Sequence, residues 1–588
     1  MSEVIKKQTG SLVISESEPG SGKTEVAVSH FKMLYEKGLV DACYFALPTR
    51  TSAAQIHKRL KIAVGRIFKD ENMPVTLAVP GYMTDVNDGD SFTFEMNDRP
   101  GEQDDNWHSE TSKKYLSSTF AVGTIDQALL SVLNVRHSTL RWSSMGRSLI
   151  IVDEVHATDS YMATLLESLI SQHIARGGHV LLMSATLGSV AANPFIRAAG
   201  FVNIDNLPLS TARRFPYPVV RHVVGGKYYE NAIPSDSREK KVSIQTKRIM
   251  DKPGDVAKIA ASHVRNGAKV IVFRNTVKSC IDVQLELEKI LPADMMLEVI
   301  PGVNTPHHGR FAAEDRVLID SAVENAFGKV SPQKGIVAVG TQTIEQSLDI
   351  DADIIITDLA PMDVLLQRLG RLHRHIKSNE RVKGYENAEA IVLTPDHEVK
   401  DYAVRPGNGI GIQRAYENVA HSILTLKEIE GRKNFVIPRD CRELVEICSH
   451  EESFENLDLE DKTLKTHIEK NIGNGLAGKT SARSNLRSES WRYGDTVLSQ
   501  SKTSNITRLG EIGVRVDFDE GCKSFSGKSI NGITIPRFLI KELTSLNKEL
   551  KRPVDFNIIS DKKKENKISF KVGDNEFHYS RHGLNRVS

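Results

Sequence analysis

Short apolar runs separated by longer helical patterns are the feature that most restricts how this chain can fold. Four such runs lie in the first third of the sequence: SLVIS at 11, DACYFALP at 41, SLIIVDE at 148 and HVLLMSAT at 179. A second set follows: KVIVFRNT at 269, GIVAVGT at 335 and DIIITDLAP at 353. Strands that helices cover on both faces have this pattern, so we predict an α/β protein with two parallel sheets.

The domain boundaries are predicted from where this alternation stops and resumes. We expect a first α/β domain over residues 1–210, with an acidic, turn-rich surface loop inserted at about 84–114. Residues 211–250 lack strong periodicity and are predicted to connect it to a second α/β domain over 251–395.

The chain changes character after about residue 395. Helical patterns predict a helical region over 396–485, which ends in a linker because residues 471–485 are rich in Gly, Ser and Asn. Residues 486–588 mix short strand-like runs with basic residues, and we expect a C-terminal accessory domain of mixed structure there.

Charge and cysteine content exclude several classes of protein. Lys and Arg exceed Asp and Glu by only two, so any nucleic-acid groove must be a local basic patch. Five cysteines without a CxxC pair argue against a disulfide framework and a structural zinc site, and favour the cytoplasm. Because no apolar run approaches the roughly 20 residues that span a bilayer, we expect no membrane partner.

The stretch SEPGSGKT at 17–24 follows a strand-like run and opens a helical pattern, as a phosphate-binding loop does. Its glycines allow backbone N–H groups to approach phosphates, its lysine reaches the β and γ phosphates, and its threonine hydroxyl coordinates magnesium. The alternative is a flexible glycine-rich turn. The predicted nucleotide-binding residues are Glu18, Pro19, Gly20, Ser21, Gly22, Lys23 and Thr24.

A second strand-like run ends in an acidic pair that complements the loop. Asp153 is predicted to hold magnesium with Thr24, and Glu154 to orient or deprotonate the attacking water. The alternative for such a pair is a solvated loop. His156 is predicted to contact the following Ser184-Ala-Thr186 strand end, which would couple hydrolysis to the grip on nucleic acid.

The second set of runs contributes a basic motif, QRLGRLHR at 367–374. Arg371 and Arg374 are predicted to lie one helical turn apart and to act as arginine fingers, with Gln367 as a further catalytic residue. Asp349, in the preceding TQTIEQSLDID stretch, is predicted to bind nucleotide. The alternative is an ordinary basic helix surface.

Polar side chains at other strand ends predict a groove for single-stranded nucleic acid. Their hydroxyl, amide and guanidinium groups suit phosphate and sugar contacts, although each one singly fits a helix cap or turn better. The residues are Pro48, Thr49, Arg50, Thr124, Asp126, Gln127, Arg274, Thr276, Thr341 and Gln342.

Five longer motifs resemble the CRISPR-associated helicases of type I systems, a family of superfamily 2 helicases: VGTIDQAL at 122, DEVHATDSYM at 153, HHGRFAAEDR at 307, GTQTIEQSLDIDAD at 340 and LAPMDVLLQRLGRLHRH at 359. The resemblance covers roughly residues 11–450. It implies tandem RecA-like domains and an ATP- and magnesium-dependent motor moving 3′ to 5′ on single-stranded DNA, recruited by an RNA-guided surveillance complex. His308, Arg310 and Arg316 match the family's second-domain motif, and His308 and Arg310 are predicted to contact nucleic acid.

Departures from the family pattern shape the remaining expectations. None of the 19 histidines is followed by Asp, so we expect no HD nuclease in this chain and a separate HD protein as its partner, or a longer fused protein of which this chain is a part. The phosphate-binding loop begins at residue 17, which leaves selectivity for adenine unsupported. The alternatives are a general superfamily 2 RNA helicase or DNA-repair translocase, and an inactive adaptor.

Overall fold

The computed structural model describes residues 9–18, 21–68, 73–79, 83–84, 92–93, 116, 118–135, 138–233, 239–329, 331, 334–345, 349–375, 381–412, 414–457, 461–487, 514–518, 522–540, 559–560, 567–572 and 575–587. Two compact units make up the chain. Unit 1 comprises residues 1–239, 438–460 and 468–509, and unit 2 comprises residues 240–437, 461–467 and 510–588.

The strands are β1 Ser11–Glu16, β2 Ala42–Leu47, β3 Val75–Ala78, β4 Met83–Thr84, β5 Phe92–Thr93, β6 Phe120–Thr124, β7 Ser148–Val152, β8 His179–Ser184, β9 Val219–Val224, β10 Lys227–Ala232, β11 Lys240–Lys247, β12 Lys269–Phe273, β13 Glu298–Ile300, β14 Val303–Asn304, β15 Ile336–Gly340, β16 Ile354–Asp358, β17 Ala388–Leu393, β18 Asn434–Ile437, β19 Val514–Asp517, β20 Gly532–Ile535, β21 Ile559–Ser560, β22 Ile568–Val572, β23 Asn575–Ser580 and β24 Gly583–Arg586.

The α-helices are α1 Lys23–Glu36, α2 Arg50–Ile67, α3 Ile125–Leu129, α4 Ser138–Ser144, α5 Ser160–Ala175, α6 Ser189–Ala198, α7 Leu209–Ala212, α8 Pro253–Arg265, α9 Val277–Ile290, α10 Ala313–Phe327, α11 Gln342–Glu345, α12 Met362–Leu369, α13 Val419–Gly431, α14 Cys441–Ser449, α15 Glu451–Glu455 and α16 Lys462–Asn485. Short 3₁₀ turns cover Val155–Ala157, Ala293–Met295, Val399–Ala403 and Arg537–Leu539.

Unit 1 is built on an eight-stranded sheet in the order β10-β9-β1-β8-β7-β2-β6-β3. The six strands from β1 to β3 in that order run parallel, and the β9–β10 hairpin adds two antiparallel strands at one edge. Successive residues of β7 enter two different cores: Ile150 and Val152 pack with α3, α5 and α6, whereas Leu149 and Ile151 pack with α1 and α2. Both faces of the sheet are therefore covered by helices, as the continuous apolar runs predict.

Unit 2 is built on a six-stranded sheet in the order β15-β12-β16-β17-β11-β18, parallel except for β18. Its later residues add the four-stranded antiparallel sheet β21-β22-β23-β24 and the β19–β20 pair. Apolar residues of these late strands share a core with Phe311 and Ile319 of the first part of the unit. The predicted α/β class with two parallel-rich sheets is confirmed.

Two sequence-based predictions about connecting segments differ from the structure. Within the predicted connector 211–250, β9 and β10 complete the sheet of unit 1 and β11 is a strand of the sheet of unit 2. Buried and half-buried residues alternate along β9, as in a strand with one buried face. The sequence obscures this pattern because a charged residue, Arg221, occupies one of the buried positions. Most of the predicted inserted loop 84–114 lies outside the described residues.

The predicted linker at 471–485 is helical and forms part of α16. Its glycines each cost about 1 kcal/mol relative to alanine within a helix. Packing against unit 1 offsets this cost, because Ala482 is fully buried in its core and Asn485 Nδ2 donates to the Tyr161 hydroxyl at 3.2 Å. Within the described part of the chain, no helix is long and apolar enough to cross a bilayer.

Candidate functional site

Five neighbouring parallel strands of unit 1, in the order β1-β8-β7-β2-β6, end at one edge of the sheet. A predicted motif follows each of them: the phosphate-binding loop after β1, Ser184 to Thr186 at the end of β8, the acidic pair after β7, and the predicted strand contacts after β2 and β6. Since ligands of open α/β sheets bind beyond the carboxyl ends of the strands, this edge is the candidate site of unit 1.

The phosphate-binding loop has the strand–loop–helix context that the sequence predicts. Ser17 continues β1 by donating its N–H to the Ser184 carbonyl at 3.1 Å, and Ser21 N–H donates to the Glu18 carbonyl at 3.3 Å. Gly22 caps α1 in the left-handed conformation, with φ at 86°, which favours glycine. Pro19 and Gly20 lie outside the described residues.

Lys23 and Glu154 each present a buried polar atom, Lys23 Nζ and Glu154 Oε2, that has no hydrogen-bond partner among the described residues. Glu154 has a φ of 53°, a conformation that non-glycine residues rarely adopt and that is common at functional sites. Burial and the neighbouring Glu154 raise the pKa of Asp153 to about 6, while Lys23 opposes that rise. Burial also raises the pKa of Glu154, but the positive charges of Lys23 and His156 outweigh it and the net pKa is lowered.

The same residues fit a magnesium ion with a bound phosphate. Thr24 is 7% exposed in the first turn of α1, and the Asp153 carboxyl accepts the Glu154 N–H at 3.0 Å with one oxygen. Magnesium prefers oxygen ligands, and an ion beside Asp153 would hold this carboxyl in its charged form. The unpaired ammonium group of Lys23 suits phosphate oxygens.

The contact predicted between His156 and the end of β8 is present. A hydrogen bond of 2.9 Å joins His156 Nδ1 to Ser184 Oγ, which also accepts the Thr186 N–H at 3.1 Å. His156 Nδ1 lies 3.5 Å from Glu154 Oε2. One imidazole therefore contacts both the acidic pair and the Ser184–Thr186 turn.

The predicted strand contacts of unit 1 lie at the same edge. Thr49 caps α2 by accepting the Ser52 N–H at 3.1 Å, so the helix-cap interpretation applies to it. Arg50 beside it is exposed and Pro48 is half-buried. After β6, Thr124 is buried, and Asp126 and Gln127 are half-buried.

In unit 2, the two predicted arginine fingers do not lie on a helix. The helix α12 ends at Leu369, and the next residues turn so that Arg371 accepts the Ala352 N–H at 2.9 Å through its carbonyl. His373, with a φ of 48°, fixes that turn. Arg371 NH2 donates to the Glu345 carbonyl at 2.6 Å.

Arg374 is the better placed of the two for a charged ligand. Its Nε lies 3.0 Å from Asp349, whose side chain is 48% exposed and is itself a predicted nucleotide ligand. Gln367, on α12, is half-buried. The finger and nucleotide roles of these residues remain predictions.

The structure places Arg274, a predicted nucleic-acid contact, in the interior of unit 2. Its side chain is 1% exposed, its Nε lies 3.1 Å from Asp358 and its NH2 donates to the Met250 carbonyl at 2.7 Å. The adjacent Thr276 caps α9 by accepting the Ser279 N–H at 3.1 Å. The residues after β12 therefore brace the sheet.

Arg368 is an organising residue that the sequence analysis missed. It is fully buried and donates to Glu345 at 2.6 Å, to Thr357 Oγ1 at 2.8 Å and to the Tyr416 hydroxyl at 3.1 Å. The same hydroxyl accepts a hydrogen bond of 2.9 Å from Gln342 Nε2. Arg368 thus holds Gln342, a predicted strand contact, through Tyr416, while Thr341 is 7% exposed beside it.

His308, also a predicted nucleic-acid contact, is covered by the C-terminal strands of unit 2. His308 is fully buried, its Nε2 donates to the His582 carbonyl at 3.1 Å and its Nδ1 accepts the Arg310 N–H at 3.2 Å. Both ring nitrogens are therefore occupied. Arg310 is half-buried, and its guanidinium carbon lies 5.5 Å from the ring centroid of Phe538, which is 72% exposed.

Comparisons with known proteins agree with the resemblance drawn from the motifs. Residues 2–193 match the DEAD/DEAH box helicase family, and residues 266–377 match the family described as CRISPR-associated nuclease/helicase Cas3, C-terminal. The CRISPR-associated endonuclease/helicase Cas3 of Escherichia coli K12 is 32% identical over 396 residues, which are 66% of this chain and 43% of that protein. The chain spans less than half the length of the curated relatives it matches first.

Solved structures give the same result for the fold. The crystal structure of T. fusca Cas3 with AMPPNP has a TM-score of 0.66 and 26% identity, covering 87% of this chain and 57% of that chain. A chain of a CRISPR RNA-guided surveillance complex in a pre-nicking state has a TM-score of 0.67 and 22% identity, covering 98% of this chain and 68% of that chain. The two parallel-rich sheets have the fold of the tandem RecA-like domains in these Cas3 structures, and the two matched segments, 2–193 and 266–377, lie one in each sheet's part of the chain.

Proposed function

Starting from a Cas3-type helicase region, we propose that this chain hydrolyses ATP to move 3′ to 5′ along single-stranded DNA and unwinds target DNA in type I CRISPR defence. One observation carries the proposal most directly. Lys23, Asp153 and Glu154 meet at the carboxyl edge of one sheet, and the buried ammonium of Lys23 has no hydrogen-bond partner within the described part of the chain. A buried cation beside two carboxylates suits a phosphate better than it suits a packing role.

In the proposed reaction, backbone N–H groups of the loop that ends at Gly22 and the Lys23 ammonium hold the phosphates. Thr24 and Asp153 would hold magnesium, which supplies positive charge to the phosphate oxygens when bound. Glu154, whose pKa is lowered, stays ionised at neutral pH and orients the attacking water through its carboxylate. The finger role predicted for Arg371 and Arg374 is part of the same proposal.

His156 connects the residues proposed to hydrolyse ATP with the edge proposed to bind DNA. It contacts both Glu154 and Ser184, so a displacement of the Ser184–Thr186 turn would change the position of the carboxylate that orients water. We propose that strand binding at Thr49, Arg50 and the residues after β6 acts on hydrolysis through this imidazole.

The proposed partners are single-stranded DNA and an RNA-guided type I surveillance complex, with a separate HD nuclease that cleaves the unwound strand. The fold neighbour in a surveillance complex supports the second partner. We further propose that the protein acts in the cytoplasm, a compartment in which its cysteines, all free in the structure, stay reduced. Co-purification with a tagged surveillance complex, with and without target DNA, tests the partner assignment.

The first experiment compares ATP hydrolysis by the purified chain, with magnesium, in four conditions: no nucleic acid, single-stranded DNA, duplex DNA and single-stranded RNA. Stimulation by single-stranded DNA alone supports the proposal. Stimulation by RNA favours a general RNA helicase, and absence of hydrolysis in all four conditions favours an inactive adaptor.

Direction requires its own assay. Biotin is placed at either the 3′ or the 5′ end of a single-stranded oligonucleotide, streptavidin is bound, and its ATP-dependent displacement is followed. A 3′ to 5′ motor displaces streptavidin from the 5′ end much faster. Equal rates at both ends, or faster displacement from the 3′ end, would contradict the proposed direction.

A further inference from the structure

Four buried charged side chains form a balanced cluster inside unit 1. Glu16, Arg221, Arg442 and Glu446 are each at most 4% exposed. Arg442 donates to Glu16 through NH2 and to Glu446 through NH1 at 3.2 Å, and Arg221 NH1 donates to Glu16 at 3.1 Å. Replacing such clusters by apolar side chains is often neutral or stabilising, so a buried ion cluster is weak evidence of a stability role and calls for another explanation.

The cluster touches the candidate site in two places. Glu16 is the last residue of β1, directly before the phosphate-binding loop. Glu446 accepts the Ser189 N–H at 2.7 Å at the start of α6. Because the preceding Gly188 has no side chain to cap that helix, the carboxylate of Glu446 serves as the cap from a distant part of the sequence.

Tyr217, which lies beside Arg442, adds a contact to the Ser184–Thr186 turn. The Tyr217 hydroxyl donates to the Ala185 carbonyl at 3.0 Å, inside the Ser184–Thr186 turn. The Arg442 guanidinium carbon lies 6.0 Å from the centre of the Tyr217 ring. Arg442 therefore reaches the base of the phosphate-binding loop through Glu16, the Ser184–Thr186 turn through Tyr217, and the start of the helix that follows this turn through Glu446.

Arg442 lies on a helix far from Glu16 in the sequence, 426 residues further along the chain. α14, Cys441–Ser449, follows β18, which is hydrogen-bonded to β11 in the sheet of unit 2. Residues 438–440 alone separate β18 from α14. A segment of three residues therefore joins a strand of the sheet of unit 2 to a helix that belongs to unit 1.

We propose that α14 is a coupling strap, and that Arg442 is a positioning residue that makes ATP hydrolysis respond to movement of unit 2 on the nucleic acid. This inference rests on the proposed function. In its proposed role, Arg442 does not touch the nucleotide. It sets the spacing between the loop that holds the phosphates and the Ser184–Thr186 turn that contacts His156.

The test uses four variants of the full chain, each with a single substitution on α14, the fourth being Arg442→Lys. Arg442→Met removes the bridging cation, Glu446→Gln keeps the shape and one acceptor oxygen but removes the charge, and Glu443→Gln is the matched control. Glu443 lies on the same helix and pairs with Arg213 at 2.6 Å on the surface, away from the cluster. For each protein, kcat and KM for ATP are measured with and without single-stranded DNA, alongside the thermal unfolding midpoint.

The decisive quantity is the ratio of DNA-stimulated to basal kcat. We expect Arg442→Met and Glu446→Gln to lower this ratio by at least about fivefold, the lower end of typical coupling between sites, and Glu443→Gln to leave it unchanged. We expect Arg442→Lys to restore part of the ratio, because lysine keeps the charge but lacks the fork that bridges two carboxylates. A merely structural role would lower both rates in proportion to the folded fraction and leave the ratio intact.

An unchanged ratio in both Arg442→Met and Glu446→Gln would overturn the inference while leaving the proposed function standing. If Arg442→Met fails to fold, the ratio of Glu446→Gln decides. Absence of DNA stimulation in the unmodified chain would instead overturn the proposed function, and the strap with it.

Discussion

Replacing Arg274 by methionine tests whether this residue braces unit 2 or contacts DNA. Its partner Asp358 is fully buried, and burial raises the pKa of that carboxyl despite the nearby guanidinium. Methionine fills a similar volume but leaves the carboxylate without its cation. Breaking a buried pair in this way costs about 3–5 kcal/mol, since an uncompensated charge stays in the interior. The lost hydrogen bond to the Met250 carbonyl adds to that cost.

The assay is urea unfolding of the full chain followed by a probe in unit 2, with single-stranded DNA binding measured on the folded fraction. We expect Arg274→Met to lower the unfolding midpoint strongly and to leave DNA affinity within about twofold of the unmodified chain, well under the tenfold change that 1.4 kcal/mol of binding energy produces. The double variant Arg274→Met, Asp358→Asn should recover much of the stability, because no unpaired charge remains. A stable Arg274→Met protein that binds DNA at least tenfold more weakly would refute this reasoning.

Three further predictions address the candidate site and its surroundings. We expect Lys23→Ala and Glu154→Gln each to lower kcat for ATP at least about a hundredfold, the usual effect of removing a catalytic group, with strand binding partly retained in a fluorescence-anisotropy titration; hydrolysis at the unmodified rate in either variant would reject the site. His173 is buried, and burial lowers its pKa to about 4 although its hydrogen bond to a backbone carbonyl raises it. The imidazole therefore takes up a proton at a higher pH in the unfolded chain than in the folded one, so acid favours unfolding. We expect the unfolding free energy to fall by about 2 kcal/mol between pH 7 and pH 5 through this group. His173→Gln should reduce the fall, and a flat pH profile would exclude it. We expect Gly583→Ala to destabilise unit 2, because its φ of 74° is unfavourable for alanine and the new Cβ would lie 2.5 Å from the His308 ring; unchanged protease resistance of the C-terminal strands would contradict this.

The sequence was sufficient to predict the catalytic edge of unit 1. Parallel strands end together, so motifs that follow separate apolar runs meet at one edge without any knowledge of the strand order. The contact between His156 and Ser184 could be predicted for the same reason, although 28 residues separate them. Local patterns therefore predicted both the sheets and the residues at their ends.

The sequence could not predict which charged residues are turned inward. Arg50 and Arg274 both follow apolar strands, yet the first is exposed and the second is 1% exposed. The difference depends on Asp358, a residue 84 positions away that happens to lie opposite Arg274. Nothing in the local pattern around Arg442 indicates that it pairs with Glu16 either, because 426 residues separate them.

The linker prediction for residues 471–485 was wrong for a related reason. Gly475 is unfavourable in a helix by propensity, but it brings α16 close to α5, where an added Cβ would lie 3.5 Å from Ser160 Oγ. Tertiary packing outweighs propensity at such positions, and a single sequence carries no information about the neighbouring surface. The segment therefore had the composition of a linker and the structure of a packed helix.

The cover over His308 has a consequence for synthesis of the protein on the ribosome. Asp315 accepts hydrogen bonds from the hydroxyls of Tyr579, Ser524 and Ser526 at 2.5, 2.7 and 2.5 Å, and these partners lie 209 to 264 residues further along the chain. Until they are translated, a carboxylate and an imidazole meant for the interior face water, next to the apolar surface of Phe311. Long-range closure of this kind is slow and leaves nascent chains prone to association. The interior of unit 2 around Asp315 therefore closes only after these late strands have been translated, and we expect the nascent chain to bind chaperones until then.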